Sequence, residues 1–116
     1  MELVSIIMPA YNCSRFIREA IDSVLAQTYT AWELLIVDDC STDDTAAIIA
    51  SYQDERIHYF RNEQNSGAAL SRNKALREAK GKYIAFLDAD DSWMPEKIEK
   101  QVAFMEQNGY AFTYTA

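Results

Sequence analysis

Short apolar runs that alternate with longer segments of helical period restrict this chain more than any other feature of its sequence. Residues 3–8 (LVSIIM), 33–37 (ELLIV), 57–60, 83–87 and 111–115 have the length and composition of buried strands. From residue 15 the pairs Phe16/Ile17, Ala20/Ile21 and Val24/Leu25 recur every four positions and mark one helix face, with Ser14 placed to cap it. Ser41 and Asp44 are spaced as a capping box for a second helix that turns Ala46, Ile49 and Ala50 inward. Ser66-Gly67 opens a third, with Ala69, Leu76 and Ala79 on its apolar face and Gly81 as a left-handed terminator. Pro95 suits the first position of a fourth, whose stripe is Ile98, Val102 and Met105 and whose end is Gly109.

The order β-α-β-α-β-α-β-α-β predicts an α/β fold, a Rossmann-like three-layer sandwich whose mainly parallel sheet is covered on both faces. Ligands of such open sheets sit beyond the carboxyl ends of the strands. A chain that stops in its fifth strand leaves that element short of cover. Residues 1–116 are therefore read as a single domain, the N-terminal part of a longer protein.

Composition narrows the function classes. Hydrophobic residues at 49% and charged residues at 25% suit a globular domain with a core of its own. No run approaches the roughly 18 apolar residues that span a bilayer, and no secretory leader is legible. Two cysteines without a CxxC spacing fit a reducing, cytoplasmic setting. A net charge of −7 argues against a nucleic-acid partner.

The acids are unevenly placed. Asp38, Asp39, Asp43 and Asp44 follow the second strand; Asp88, Asp90 and Asp91, in FLDADDSW, follow the fourth. One like-charge pair at ~6 Å and an effective dielectric near 20 costs roughly 3 kcal/mol. A hard divalent cation, Mg²⁺ or Mn²⁺, would relieve that repulsion and let an acidic rim hold a diphosphate. Turn formation and helix capping account for Asp43, Asp44 and Asp91, with Ser92 as an alternative cap. They account less well for Asp39, Asp88 and Asp90. Asp38 stands between ligand binding and holding its loop.

Three stretches, VSIIMPAYN, SVLAQTYTAWELLIVDDCSTDDT and NSGAALSRNKALREAKGKYIAFLDADDSW, together resemble the donor-binding half of family 2 glycosyltransferases, which have the glycosyltransferase type-A fold. The resemblance runs over essentially the whole chain. It implies a nucleotide-diphosphate sugar donor, most simply a uridine sugar, a bound Mg²⁺ or Mn²⁺, and inverting transfer to an acceptor hydroxyl in polysaccharide or glycan biosynthesis. It implies that Pro9 and Tyr11 cradle the base, Tyr11 by stacking. Asp39 would accept the base N3–H, Arg72 support the base pocket, Asp88 contact the ribose hydroxyls, and Asp90 ligate the metal as part of a DxD motif. Ser71 stands where the family's stretch usually carries Ala. The general base of such enzymes, an Asp or Glu, comes from a later segment, so no catalytic base is assigned here and this chain by itself is expected to transfer little. The acceptor would be a saccharide or a lipid-linked glycan, with peripheral association at the inner face of the membrane.

Three other readings compete. YIAFLDADD is similar to the strand and DxD of haloacid dehalogenase-type phosphatases, whose later motifs are not found after Asp91. A receiver-type signalling domain fits the length, but its acids follow strands one and three. The third is a nucleotide-sugar-binding module without catalysis. Among the remaining residues, His58 reads as a half-exposed strand position, Cys13 and Cys40 as small loop residues, and Trp32 and Trp93 as packing groups. NSGA at 65–68 reads as a turn and helix start.

Overall fold

The computed structural model describes residues 1–108 and 112–113. Its strands are β1 (Val4–Ala10), β2 (Trp32–Asp38), β3 (Ile57–Arg61), β4 (Tyr83–Phe86) and β5 (Phe112–Thr113). They alternate with helices α1 (Ile17–Leu25), α2 (Thr45–Ala50), α3 (Ala68–Glu78) and α4 (Lys97–Asn108). The sheet order is β3-β2-β1-β4-β5 and every neighbouring pair is parallel. Gly109, expected to end the fourth helix, and residues 111, 114 and 115 of the expected fifth strand lie outside the described residues.

The strand period of two divides the apolar residues between two faces. On one, Ile6, Met8, Leu34 and Ile36 join Ile17, Ala20, Ile21 and Val24 of α1, Ile49 of α2, and Ile98, Val102 and Met105 of α4 in the main core. On the other, Ile7, Leu35 and Val37 pack beneath α3 through Ala75. All seven residues of β2 are buried, as a central parallel strand covered on both sides must be. The three-layer α/β expectation holds. Trp32 is a core residue and Trp93 packs half-buried against the same cluster.

Several local expectations are corrected. β1 continues past the expected end at residue 8 through Pro9 and Ala10. Odd-numbered residues of this strand turn their backbone polar groups toward β4: the Leu3 carbonyl accepts from Lys82 and the Ile7 carbonyl from Leu87. β4 has ended by the level of Pro9, since the paired register stops at Ile7–Phe86. The missing N–H of proline therefore costs the sheet no bond. Ser14 does not cap α1. Its own N–H donates to Asp43 Oδ2 (3.1 Å), and the turn into α1 is built on the Cys13 carbonyl, which accepts from Phe16 (2.9 Å) and Ile17 (2.8 Å). Phe16, counted on the buried face, is 44% exposed, and Leu25 is only half-buried.

The Ser41–Asp44 capping box does not form. Asp43 does the work instead, its Oδ1 accepting from the Thr45 N–H (3.0 Å) and hydroxyl (2.5 Å), while Ser41 Oγ accepts from the Asn12 N–H (2.9 Å). Ala50 is exposed. α3 presents Ser71 and Ala75 to the sheet, not Ala69 and Leu76, because two small residues one turn apart let the helix axis come closer than leucine would. Gly81 is not a left-handed terminator; α3 ends in extended backbone at Ala79. A Cβ at Gly81 would lie 2.6 Å from Ser5 Oγ and 2.7 Å from the Leu3 carbonyl oxygen, so close approach to β1 is what requires glycine there. Pro95 precedes α4 by a turn closed by Lys97 N–H on the Met94 carbonyl (3.0 Å).

Candidate functional site

β1 and β4 are neighbours that part at their carboxyl ends, after the bond from Leu87 N–H to the Ile7 carbonyl (3.0 Å). The chain leaves β1 by α1 on one face and returns to β4 by α3 on the other. This is the sheet's topological switch point, the usual place for a ligand. A cavity of about 290 Å³ opens there. Pro9, Tyr11, Asp39, Arg72, Asp88 and Asp90, the six residues singled out from sequence, all line it. They come from the ends of β1, β2 and β4 and from the first turns of α3.

The two aspartates that end β2 differ completely. Asp38 is the last strand residue and 0% exposed. Its Oδ1 accepts from Ser41 N–H (2.9 Å), and its Oδ2 accepts from the Tyr59 hydroxyl (2.6 Å) and Arg61 (3.1 Å). It holds the loop and does not line the cavity. Asp39, one residue on, points the other way, into the cavity. It accepts from Asn62 Nδ2 (2.8 Å), Ser66 N–H (2.7 Å) and Gly67 N–H (2.8 Å). Burial alone would push its carboxyl up, but these three donors outweigh it and hold Asp39 below the usual carboxylate range. The same bonds open α3: Gly67, at φ 91°, occupies left-handed backbone and is the helix N-cap, so NSGA is indeed a turn and helix start.

After β4 the burial alternates, with Leu87 at 1% and Ala89 at 6% in the core while Asp88 and Asp90 face the cavity. Asp88 Oδ1 lies 3.5 Å from an Arg72 guanidinium nitrogen. Arg72 Nε is buried and unpartnered among the described residues, a donor aimed at nothing in the protein. Asp90 is exposed and, alone of the rim acids that line the cavity, has no hydrogen-bond or ionic partner among the described residues.

That distribution is the test of a metal here. No group of three or more Asp, Glu, His or Cys side chains converges among the described residues. A resident all-protein cage is thereby absent from them. A hard cation completed by substrate phosphates needs only one or two carboxylates, however, and an unpaired Asp90 inside the cavity fits that donor set.

Sequence reading missed three residues here. Phe16 lines the cavity beside Tyr11, and both rings are exposed, at 44% and 53%. Asn62 holds Asp39, and Ser71, fully buried, receives the second N–H of the Asn62 amide (3.0 Å). Only Ser71 carried a signal, as a departure from the usual alanine. His58 is half-exposed as read, 4.0 Å from Glu33, and both cysteines are free.

The family profile "Glycosyl transferase family 2" matches residues 5–116. The chain belongs to this family. As a family 2 glycosyltransferase chain it is 51% identical over 115 residues to the UDP-Glc:alpha-D-GlcNAc-diphosphoundecaprenol beta-1,3-glucosyltransferase WfaP of Escherichia coli, a match over 99% of this chain and 46% of that protein. It is similar to S. aureus TarS 1-349 in complex with UDP, with a TM-score of 0.86, 34% identity, and coverage of 94% of this chain and 33% of that one. It is also similar to the mannosyltransferase PcManGT of Pyrobaculum calidifontis, in complex with GDP-Man and Mn²⁺, with a TM-score of 0.82, 28% identity, and coverage of 88% and 32%. The chain spans less than half the length of the curated relatives it matches. The type-A glycosyltransferase fold and a glycosyltransferase identity replace the phosphatase and receiver readings. The strand order agrees, since receivers are wound 2-1-3-4-5. No helix among the described residues is long and apolar enough to cross a membrane.

Proposed function

We propose that this chain is the donor-binding part of an inverting hexosyltransferase. The donor is a uridine diphosphate sugar, held with Mg²⁺ or Mn²⁺, and the acceptor is a saccharide or lipid-linked glycan hydroxyl at the inner face of the membrane. The observation that carries this reading is the convergence of Tyr11, Asp39, Arg72, Asp88 and Asp90 on one cavity at the switch point. It is supported by the donor and acceptor in the name of WfaP, by UDP in the TarS complex, and by Mn²⁺ with a nucleotide sugar in the PcManGT complex.

Each side chain has a task that its surroundings allow. The exposed ring of Tyr11 offers a stacking face for the base. Asp39, ionised and already immobilised, has an acceptor left for a base N–H. Asp88 keeps its second oxygen for ribose hydroxyls while Arg72 holds the first. Asp90 would ligate the cation. When bound, the cation neutralises the diphosphate and the charge that grows on it as it leaves. The acceptor oxygen attacks the anomeric carbon, the bond to the diphosphate breaks, and the hydroxyl proton goes to a general base. We place that base, and the acceptor surface, in sequence following residue 116; this chain by itself is then expected to bind donor and transfer little.

Titration calorimetry with UDP tests the reading. The expected result is binding that strengthens at least about tenfold with Mn²⁺, with the Mn²⁺-dependent part lost in Asp90→Ala. A folded wild-type chain that binds UDP equally well in Mn²⁺ and in chelator would remove the metal from the proposal. One that ignores UDP altogether would remove the donor.

A further inference from the structure

Asp39 offers about four acceptor sites as a carboxylate. Oδ1 is taken by Asn62 Nδ2 and the Ser66 N–H, and Oδ2 by the Gly67 N–H, which leaves a single site, on Oδ2, in a residue that lines the cavity. Two of these donors are backbone amides fixed by the start of α3. The third is a side chain and must itself be held. The Asn62 backbone is clamped on both sides, its N–H donating to the Asp38 carbonyl (2.9 Å) and its carbonyl accepting from Cys40 Sγ (3.0 Å). What remains is rotation of its amide. Ser71 Oγ arrests that rotation by accepting the second N–H (3.0 Å) at a fully buried position in α3. The amide cannot be reversed, because its oxygen would then face a carboxylate that has no hydrogen to give.

We propose that Asn62 and Ser71 are positioning residues for nucleobase selection. Together they hold Asp39 so that one acceptor faces the cavity, which admits a base with an N–H at that edge, such as uracil, in preference to one whose ring nitrogen lacks it, such as cytosine. The inference rests on the uridine-donor reading above. It goes further in naming two side chains that act through Asp39, Asn62 behind the cavity and Ser71 in its wall, and a selectivity they set.

The test compares UDP, CDP and inorganic pyrophosphate, each with Mn²⁺, by calorimetry on wild type, Ser71→Ala, Asn62→Ala and the double variant. Wild type should favour UDP over CDP by at least about tenfold. Ser71→Ala should narrow that ratio about threefold and Asn62→Ala about tenfold, with pyrophosphate affinity unchanged in both. The double variant should be no worse than Asn62→Ala, because the two residues act in series. Equal losses for UDP and CDP, or additive effects, would reduce both residues to structural support and overturn the proposal. Thermal melts control for folding; Ser71→Ala installs a small residue in a helix and carries the ratio test even if Asn62→Ala is unstable. A wild type that binds UDP and CDP alike overturns this proposal and leaves the donor reading standing. A wild type that binds none of the three overturns both.

Discussion

Asp38 and Asp39 are adjacent, identical and opposite in role. The strand runs through Asp38, so its side chain falls beside Tyr59 and Arg61 of β3, and the next residue is turned to the other side. Asp38→Ala removes the shared acceptor of the Tyr59 hydroxyl, the Arg61 guanidinium and the buried Ser41 amide at once. We expect a loss of about 3 kcal/mol in a urea titration with no change in the UDP-to-CDP preference. A shifted preference with unchanged stability would reverse the roles given to the two. Sequence placed both acids on the ligand rim and left Asp38 undecided, because the choice depends on where the strand ends, to within a single residue. Pro9, Tyr11 and Arg72 came only from the family resemblance, whereas Asp39, Asp88 and Asp90 were legible because acids clustered at strand ends are chemically unusual. Asn62 was not, because an asparagine after a strand is an ordinary turn residue until its amide is seen against Asp39.

At the scale of elements, helix ends and faces were read less well than helix existence. Ser14 and Ser41, the hydroxyls expected as caps, do not cap, whereas Asp43 takes the turn and capping role read for it. The actual tie is Asp43, which joins the start of α2 to the entry of α1 through Thr45 and Ser14. The hydrogen bond from the Thr45 hydroxyl, with the two backbone amides, holds the Asp43 carboxyl down to about 2. Its folded value thus lies below the unfolded value of about 3.9. The stabilisation is complete above that unfolded value and drains away as pH falls toward about 2. Urea midpoints measured from about pH 5 down to about pH 2 should therefore fall less steeply for Asp43→Ala than for wild type, the difference isolating this residue from other acids such as Asp54. Parallel curves would show that the tie does not form in solution. The buried face of α3 was misassigned for a related reason. Periodicity counts apolar residues, whereas close packing on a flat sheet selects small ones, Ser71 and Ala75.

The whole molecule puts its candidate site at one end and a buried polar network at the other. At the far end from the cavity, Glu33 is buried, its Oε2 accepting from the Ser5 hydroxyl (2.6 Å) and the Lys80 N–H (2.7 Å), and Gly81 N–H donates to Ser5 Oγ (2.8 Å). Gly81→Ala would drive a methyl into that network, and we expect a cost of about 2 kcal/mol, read as a lower melting temperature. UDP affinity measured well below that temperature should be unchanged, since nothing at Gly81 reaches the switch point. A weakened affinity would mean that the two ends are coupled. Topology was the most legible level of all. The alternation of runs fixed a parallel sheet, and the sheet fixed where a ligand would sit.

The pairing of β1 with β4 joins residues 4–7 to residues 83–86, bridging everything from α1 to α3. On a ribosome, the first three strands can meet while the fourth is still inside the exit tunnel, but the cavity has no second wall until residue 90 has emerged. The proposed nucleotide donor would therefore be recognised only by a chain in which β1 and β4 have met. If the proposed donor binds there, its occupancy would report that this pairing is made and would shelter such chains from proteolysis.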